Sequence, residues 1–268
     1  MTTIHTPSPL PEHFSTEDFW VIPPLLSDAD LRLQQLAKDI QTDLETLNYP
    51  DRNWDYSRGD CLEVAIIGGG YAGKSAAFGL RRHGIPNVCM FDRQPTGQEG
   101  PWRTFAHNAT LRTPKIVTGG LDWGIANLNF RRWCAACYGD DYWQRIDYIP
   151  RLMWADYLDW YGHVLNLPLQ SETDIQNITW SEAEQCFWLH ATYQEQPTLY
   201  KARFVIFATG LECTGGKQVP SIVKNNLPAH CYHHTMDSID FTAFAQQRVV
   251  IIGGGASAFD HAILLLES

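Results

Sequence analysis

The sequence predicts an α/β fold with a largely parallel sheet. Three observations carry that prediction. Two glycine-rich turns, Gly68-Gly69-Gly70-Tyr71-Ala72-Gly73 and Gly253-Gly254-Gly255-Ala256-Ser257-Ala258, each follow a short apolar run and precede a helical segment. A second apolar run ends on Asp92, about 20 residues beyond the first turn, where a strand of a doubly wound sheet ends. Three further strand-like runs stand between the two turns.

Taken in order, the chain opens with a proline-rich polar arm over Thr6 to Pro24. Ser27-Asp28-Ala29-Asp30 resembles a capping box, and Leu33, Leu36, Ile40, Leu44 and Leu47 then mark one face of a helix that Tyr49-Pro50 ends. The stripe is expected to pack on the main domain, with a partner-binding helix as the rival reading. Residues 1–59 thus form an arm and an amphipathic helix.

The first turn has a mechanical logic. Glu63-Val64-Ala65-Ile66-Ile67 reads as a buried parallel strand, and Ala72 to His83 as a helix stopped by Gly84. In such a unit the first glycine makes the tight turn, the second lets backbone approach a pyrophosphate, and the third lets helix and strand pack closely. Phosphates then meet free N–H groups at the helix N-terminus. Val88-Cys89-Met90-Phe91-Asp92 reads as the next strand, its acid placed to accept from a ribose hydroxyl; the alternative for Asp92 is a strand-end turn residue.

Pro150 to Leu167 reads as a second amphipathic helix, with Trp154, Leu158, Tyr161 and Leu165 on one side and Pro168 as terminator. Ile175 to Trp180, Phe187 to Tyr193 and Tyr200 to Thr209 suggest a three-stranded meander. Its last run is apolar throughout, as a central parallel strand should be, and ends in Ala208-Thr209-Gly210, small residues that let backbone approach a ligand. Arg248 to Ile252 and Ala256 to Leu266 repeat the strand–turn–helix pattern. Residues 60–247 thus form one dinucleotide-binding domain with a meander, and 248–268 the start of a second, incomplete one.

Composition narrows the class. A chain of 268 residues with 44% hydrophobic content can bury a sizeable core, and its formal charge of −10 argues against nucleic acid as a partner. No apolar run reaches the ~18 to 20 residues of a membrane span, and no secretory leader is visible, so a cytoplasmic location is expected. Seven cysteines without regular spacing make no disulfide framework. Cys134-Ala135-Ala136-Cys137 lacks both a thioredoxin-like context and a second pair; with Phe130 and Trp133 it falls at helical spacing, the pattern of buried small residues. No metal site is expected. The aromatics between Trp123 and Trp160 suggest a large apolar surface, and such rings fill cores more often than pockets.

The order of turn, acid-ended strand, meander, Ala-Thr-Gly and second turn resembles the flavoproteins that bind two dinucleotides. Glu99-Gly100-Pro101-Trp102-Arg103 is similar to the Gly-x-Trp segment of class B flavin-dependent monooxygenases, and Leu111-Arg112-Thr113-Pro114-Lys115 with Leu121-Asp122-Trp123 to their next segment. The likeness runs from Cys61 to the end. Related disulfide reductases carry a redox cysteine pair soon after the first turn, where this chain has Gly100-Pro101-Trp102.

The resemblance implies a Rossmann-type FAD domain followed by the first unit of an NADPH domain. It implies FAD and NADPH as cofactors, with O₂ and a small molecule as substrates joined through a C4a-(hydro)peroxyflavin. Gly68, Gly70 and Gly73 would hold the FAD pyrophosphate, Asp92 its ribose, and Gly100, Trp102, Thr209 and Gly210 the flavin side. Gly253, Gly255 and Ala258 would hold the NADPH pyrophosphate. Arg112 would stabilise charge developing on the reduced flavin's oxygen adduct, or serve as a phosphate clamp or surface ion pair. The family linker histidine corresponds to His233 or His234, either a hinge contact between cofactors or a solvated loop residue. Because the second unit stops at Ser268, the alternatives are a truncated or split flavoprotein that binds FAD without completing the cycle, and a plain NAD(P)H-dependent flavoprotein reductase. Self-association or a complementing C-terminal fragment is expected on the same ground.

Overall fold

The computed structural model describes residues 22–47, 59–85 and 87–268. The arm up to residue 21 and the Tyr49-Pro50 stop lie outside the described residues. A helix α1 spans Ala29–Leu47, and most of its stripe turns inward, with Leu36 and Ile40 buried and Leu33 and Leu44 packed on the same core; Leu47, expected on that face, is exposed at the helix end, beyond the core it would reach.

The main sheet has six strands: β1 (Cys61–Ile67), β2 (Val88–Phe91), β5 (Leu169–Gln170), β6 (Thr173–Ser181), β7 (Cys186–Tyr193) and β8 (Gln196–Phe207). Their spatial order is β5-β2-β1-β8-β7-β6. β5, β2, β1 and β8 run parallel, and β8 also pairs antiparallel with β7, so it joins the parallel half to the meander. A separate antiparallel ribbon pairs β3 (Thr110–Pro114) with β4 (Tyr148–Pro150).

Alternation along β1 sets the two cores, because successive side chains point to opposite faces. Val64 and Ile66 join Met90 under helices α2 (Tyr71–Arg82), α3 (Phe130–Tyr138) and α5 (Arg151–Val164). Ala65 and Ile67 instead join Phe91 against Leu189 and Ala202 of the meander. The expectation that the end of β8 is buried throughout needs correction: Phe204 and Phe207 are exposed. Three residues apart on the strand, they point to opposite faces, so neither face of that segment is fully covered among the described residues, although Val205 and Ile206 each pack against one of the two cores.

Most of the aromatics between Trp123 and Trp160 form core, although Trp123 and Tyr148 are exposed. Phe130 lies 5.5 Å from the Trp133 ring and 5.3 Å from Tyr157, centroid to centroid. The buried Tyr157 hydroxyl donates to the Leu128 carbonyl at 2.8 Å and accepts the Leu121 N–H at 2.9 Å, so its burial leaves no polar atom unmet. Cys134 and Cys137 sit on α3, both buried, and burial pushes both thiols up to about 12. They are packing residues, as their spacing suggested.

The second turn departs from its pattern. Helix α7 forms over Ala256–Glu267, but residues 248–252 are not a strand. A strand exists only in a ladder, and no described segment pairs with this one, so Val250 and Ile252 stand 83% and 68% exposed. Short helices α4 (Asp140–Arg145) and α6 (Ser221–Asn226) complete the chain.

Candidate functional site

The carboxyl ends of β1, β2 and β8 converge on a cleft of about 480 Å³. This is where open parallel sheets bind ligands. The strand ends are tied together: the Gly68 N–H donates to the Phe91 carbonyl at 2.7 Å, and the Ala208 N–H to the Ile67 carbonyl at 2.8 Å. Gly68, Gly70, Asp92, Gly100, Trp102, Thr209 and Gly210 all line the cleft.

The glycines of the first turn serve different ends. A Cβ on Gly68 would stand 2.4 Å from the Ala208 carbonyl oxygen, and one on Gly73 only 1.9 Å from that of Gly68. Packing alone therefore demands both. Gly70 differs, because a Cβ there would meet nothing nearer than Gly100 Cα at 3.4 Å. The protein has room for a side chain at 70; it would be built at the edge of the cleft, at the N-cap of α2, where no side chain caps the helix. A turn whose middle glycine leaves such a space, beside a buried acid, fits a pyrophosphate and ribose.

Asp92 is buried and holds the turn. One carboxylate oxygen accepts the Gly69 N–H at 2.7 Å and the other the Gln94 N–H at 2.9 Å. Burial pushes its pKa above the usual carboxylate range, opposed by those two N–H donors, with Glu99 raising it further and Lys74 lowering it. A carboxylate has about four acceptor positions, so two bonds leave capacity for a ribose hydroxyl. Across the cleft, Trp102 carries an indole N–H that is buried and has no acceptor among the described residues.

Three residues beneath the turn escaped the sequence reading. A Cβ on Gly69 would meet Leu169 Cδ1 at 2.7 Å and Glu99 Cγ at 3.2 Å, side-chain atoms rather than the backbone oxygens that confine Gly68 and Gly73. Lys74 and Glu99 form an ion pair at 3.3 Å with side chains 5% and 2% exposed. One available signal was that Gly68, Gly73, Lys74 and Ser75 also satisfy the P-loop spacing, whose lysine reaches phosphates. Here that lysine is buried, and its ammonium is turned onto the Gly69 carbonyl and Glu99.

Other expected residues lie elsewhere. Arg112 is not among the cleft-lining residues; it is ion-paired with Asp260 of α7. His233 packs edge-on against Phe244, and His234 accepts the Met236 N–H at 3.1 Å, so neither lines the cleft, whereas Met236 does. Gly253, Gly255 and Ala258 also lie outside it, and a Cβ on Gly253, Gly254 or Gly255 would meet nothing within 4 Å.

Residues 65–268 match the family described as pyridine nucleotide-disulphide oxidoreductase. The chain belongs to that family. It is 41% identical over 241 residues to an FAD-dependent urate hydroxylase of Xanthomonas campestris pv. campestris, covering 88% of this chain and 50% of the relative. The chain thus spans about half the length of that relative. The fold is also that of the ornithine hydroxylase of Pseudomonas aeruginosa, with a TM-score of 0.61 at 17% identity over 78% of this chain and 52% of the other. No cysteine lines the cleft among the described residues. No helix among the described residues is long and apolar enough to cross a membrane.

Proposed function

We propose that the cleft binds FAD, with its pyrophosphate on the turn at 68–73 and its ribose on Asp92, and that the chain is the flavin-binding part of an NAD(P)H-dependent monooxygenase. The observation that carries this reading is the space at Gly70, open on the protein side and facing the cleft. Gly100, Trp102, Thr209 and Gly210 would flank the flavin side. When bound, FAD would supply the redox chemistry with nicotinamide and O₂ that oxygen insertion into a small organic substrate requires. The protein's part is to position the cofactor and exclude water.

The 41% identity to a urate hydroxylase makes urate the first substrate to test. FAD should copurify or bind on addition, better than FMN, because FMN lacks the pyrophosphate and adenosine ribose that the turn and Asp92 are arranged to hold. Gly70→Val should remove the yellow colour while circular dichroism stays unchanged. Stoichiometric FAD in a folded Gly70→Val protein would overturn the assignment of the first turn.

A second reading is favoured by the open surroundings of the second turn: these 268 residues bind FAD without accepting hydride from NAD(P)H. Anaerobic NADPH bleaching the flavin at ordinary turnover rates would reject it. Self-association belongs to the same reading, since Val250, Ile252 and Leu266 are largely exposed. Val250→Ser with Ile252→Ser should lower the mass seen by light scattering if that surface joins copies.

A further inference from the structure

We propose that Lys74 is a positioning residue that aims the Gly70 N–H into the cleft as a donor for the cofactor's pyrophosphate. Its ammonium donates to the Gly69 carbonyl at 3.0 Å from behind the turn. The N–H of the same glycine is held by Asp92 at 2.7 Å. Gly69 is thereby fixed at both its polar atoms, with the Leu169, Glu99 and Asp92 side chains gathered where a Cβ would stand.

The consequence follows from peptide geometry. The Gly69 carbonyl and the Gly70 N–H belong to one planar trans unit and point in opposite directions. Drawing the carbonyl back onto Lys74 sends the N–H the other way. Gly70 lines the cleft and Gly69 does not, so that direction is toward the cleft. Among the described residues no acceptor takes this N–H. The lysine thus acts through the backbone, on the side away from the ligand, where its charge is neutralised by Glu99 and does not attract the phosphate directly.

The clamp is itself held. Glu99 takes the Gly97 N–H on its other oxygen at 3.0 Å, which ties the loop after β2 to the turn. A Cβ on Gly162 of α5 would stand 3.0 Å from Lys74 Cε, so the aliphatic stem runs through a slot that glycine keeps open. A buried pair whose partner is removed leaves an uncompensated charge, so the two residues are best neutralised together.

This inference rests on the reading of the cleft as a dinucleotide site, and the test separates the two. Full-length protein labelled with ¹⁵N-glycine is titrated with ADP, adenosine and FAD, following the Gly70 amide by NMR and each affinity by calorimetry. In the native protein ADP should move the Gly70 proton downfield, as a new hydrogen bond to phosphate does, and adenosine should not. Lys74→Met combined with Glu99→Gln should lose that shift and weaken ADP tenfold or more, while adenosine affinity stays within twofold. A double variant that keeps both the shift and the ADP affinity would overturn the role of Lys74. Should the variant fail to fold, the native titration still decides: ADP binding without a Gly70 shift overturns the proposal. A native protein that binds neither ADP nor FAD overturns the dinucleotide reading itself, and the proposal with it.

Discussion

The turns at 68–73 and 253–258 share a motif and differ in everything around it. At the first, β1 is flanked by β2 and β8, the motif glycines at 68 and 73 are pressed against carbonyl oxygens, and a buried acid holds the middle of the loop. At the second, the preceding apolar run has no ladder among the described residues, and a Cβ on any of the three glycines would meet nothing within 4 Å. The helix after each turn forms all the same. Helix formation needs only local sequence and one covered face, whereas a phosphate-binding turn needs strands on both sides to fix its amides. A glycine motif therefore marks where a site is possible, and the neighbouring strands decide whether its shape is held.

The largest expected effect breaks this contrast directly. Gly73→Ala would drive a methyl into the Gly68 carbonyl, which can relieve the overlap only by moving the strand or the helix. It should cost about 3 kcal/mol or more in urea unfolding. Gly255→Ala, in open space at a φ of −83°, should change stability by less than about 1 kcal/mol. Equal losses at the two positions would mean that the second turn is packed like the first.

Asp92→Asn sharpens the comparison by separating what the first turn needs to fold from what it needs to bind. Because burial raises the Asp92 pKa in the folded state, its contribution to stability is full below the unfolded value of about 3.9 and is lost as pH rises through the folded pKa. Asparagine does not ionise and escapes that loss, while its amide oxygen can still accept the Gly69 N–H. The variant's stability relative to the native protein should therefore improve from pH 4 to pH 7 in urea titrations without ligand. Its FAD affinity should fall about tenfold, the worth of one charge-assisted hydrogen bond to the ribose. A variant that loses stability and keeps affinity would make Asp92 a turn residue alone.

What could be read in the sequence follows the same division. The β1–turn–α2 unit, the acid at 92, the meander and the inward stripe of α1 are local patterns, and each is found in place. Gly69, Lys74 and Glu99 were illegible because their roles depend on where three separated segments meet. A lysine in the first turn of a helix carries no mark of whether it faces phosphate or is folded behind the loop. The run at 248–252 was misread for a related reason: apolar residues state that a segment should be covered, not that a partner strand lies beside it.

The smallest effect concerns Arg112, which the resemblance cast as a group near the reactive flavin. Its guanidinium pairs with Asp260, with the two side chains 57% and 19% exposed, and it joins the β3 ribbon to α7. The next residue of α7, His261, packs its ring edge-on against His107 at 5.1 Å and against Phe241 at 5.4 Å. The ion pair and these ring contacts together tie α7 to the residues packed against it. An ion pair this exposed is worth about 0 to 1 kcal/mol, so Arg112→Met should leave the unfolding midpoint nearly unchanged and FAD affinity within twofold. The effect should appear instead as faster amide hydrogen exchange along α7, where one of its few anchors is gone and local opening becomes easier. If exchange in α7 is unaltered and FAD affinity falls tenfold, the arginine reaches the cleft, and its place is with the first turn rather than the second.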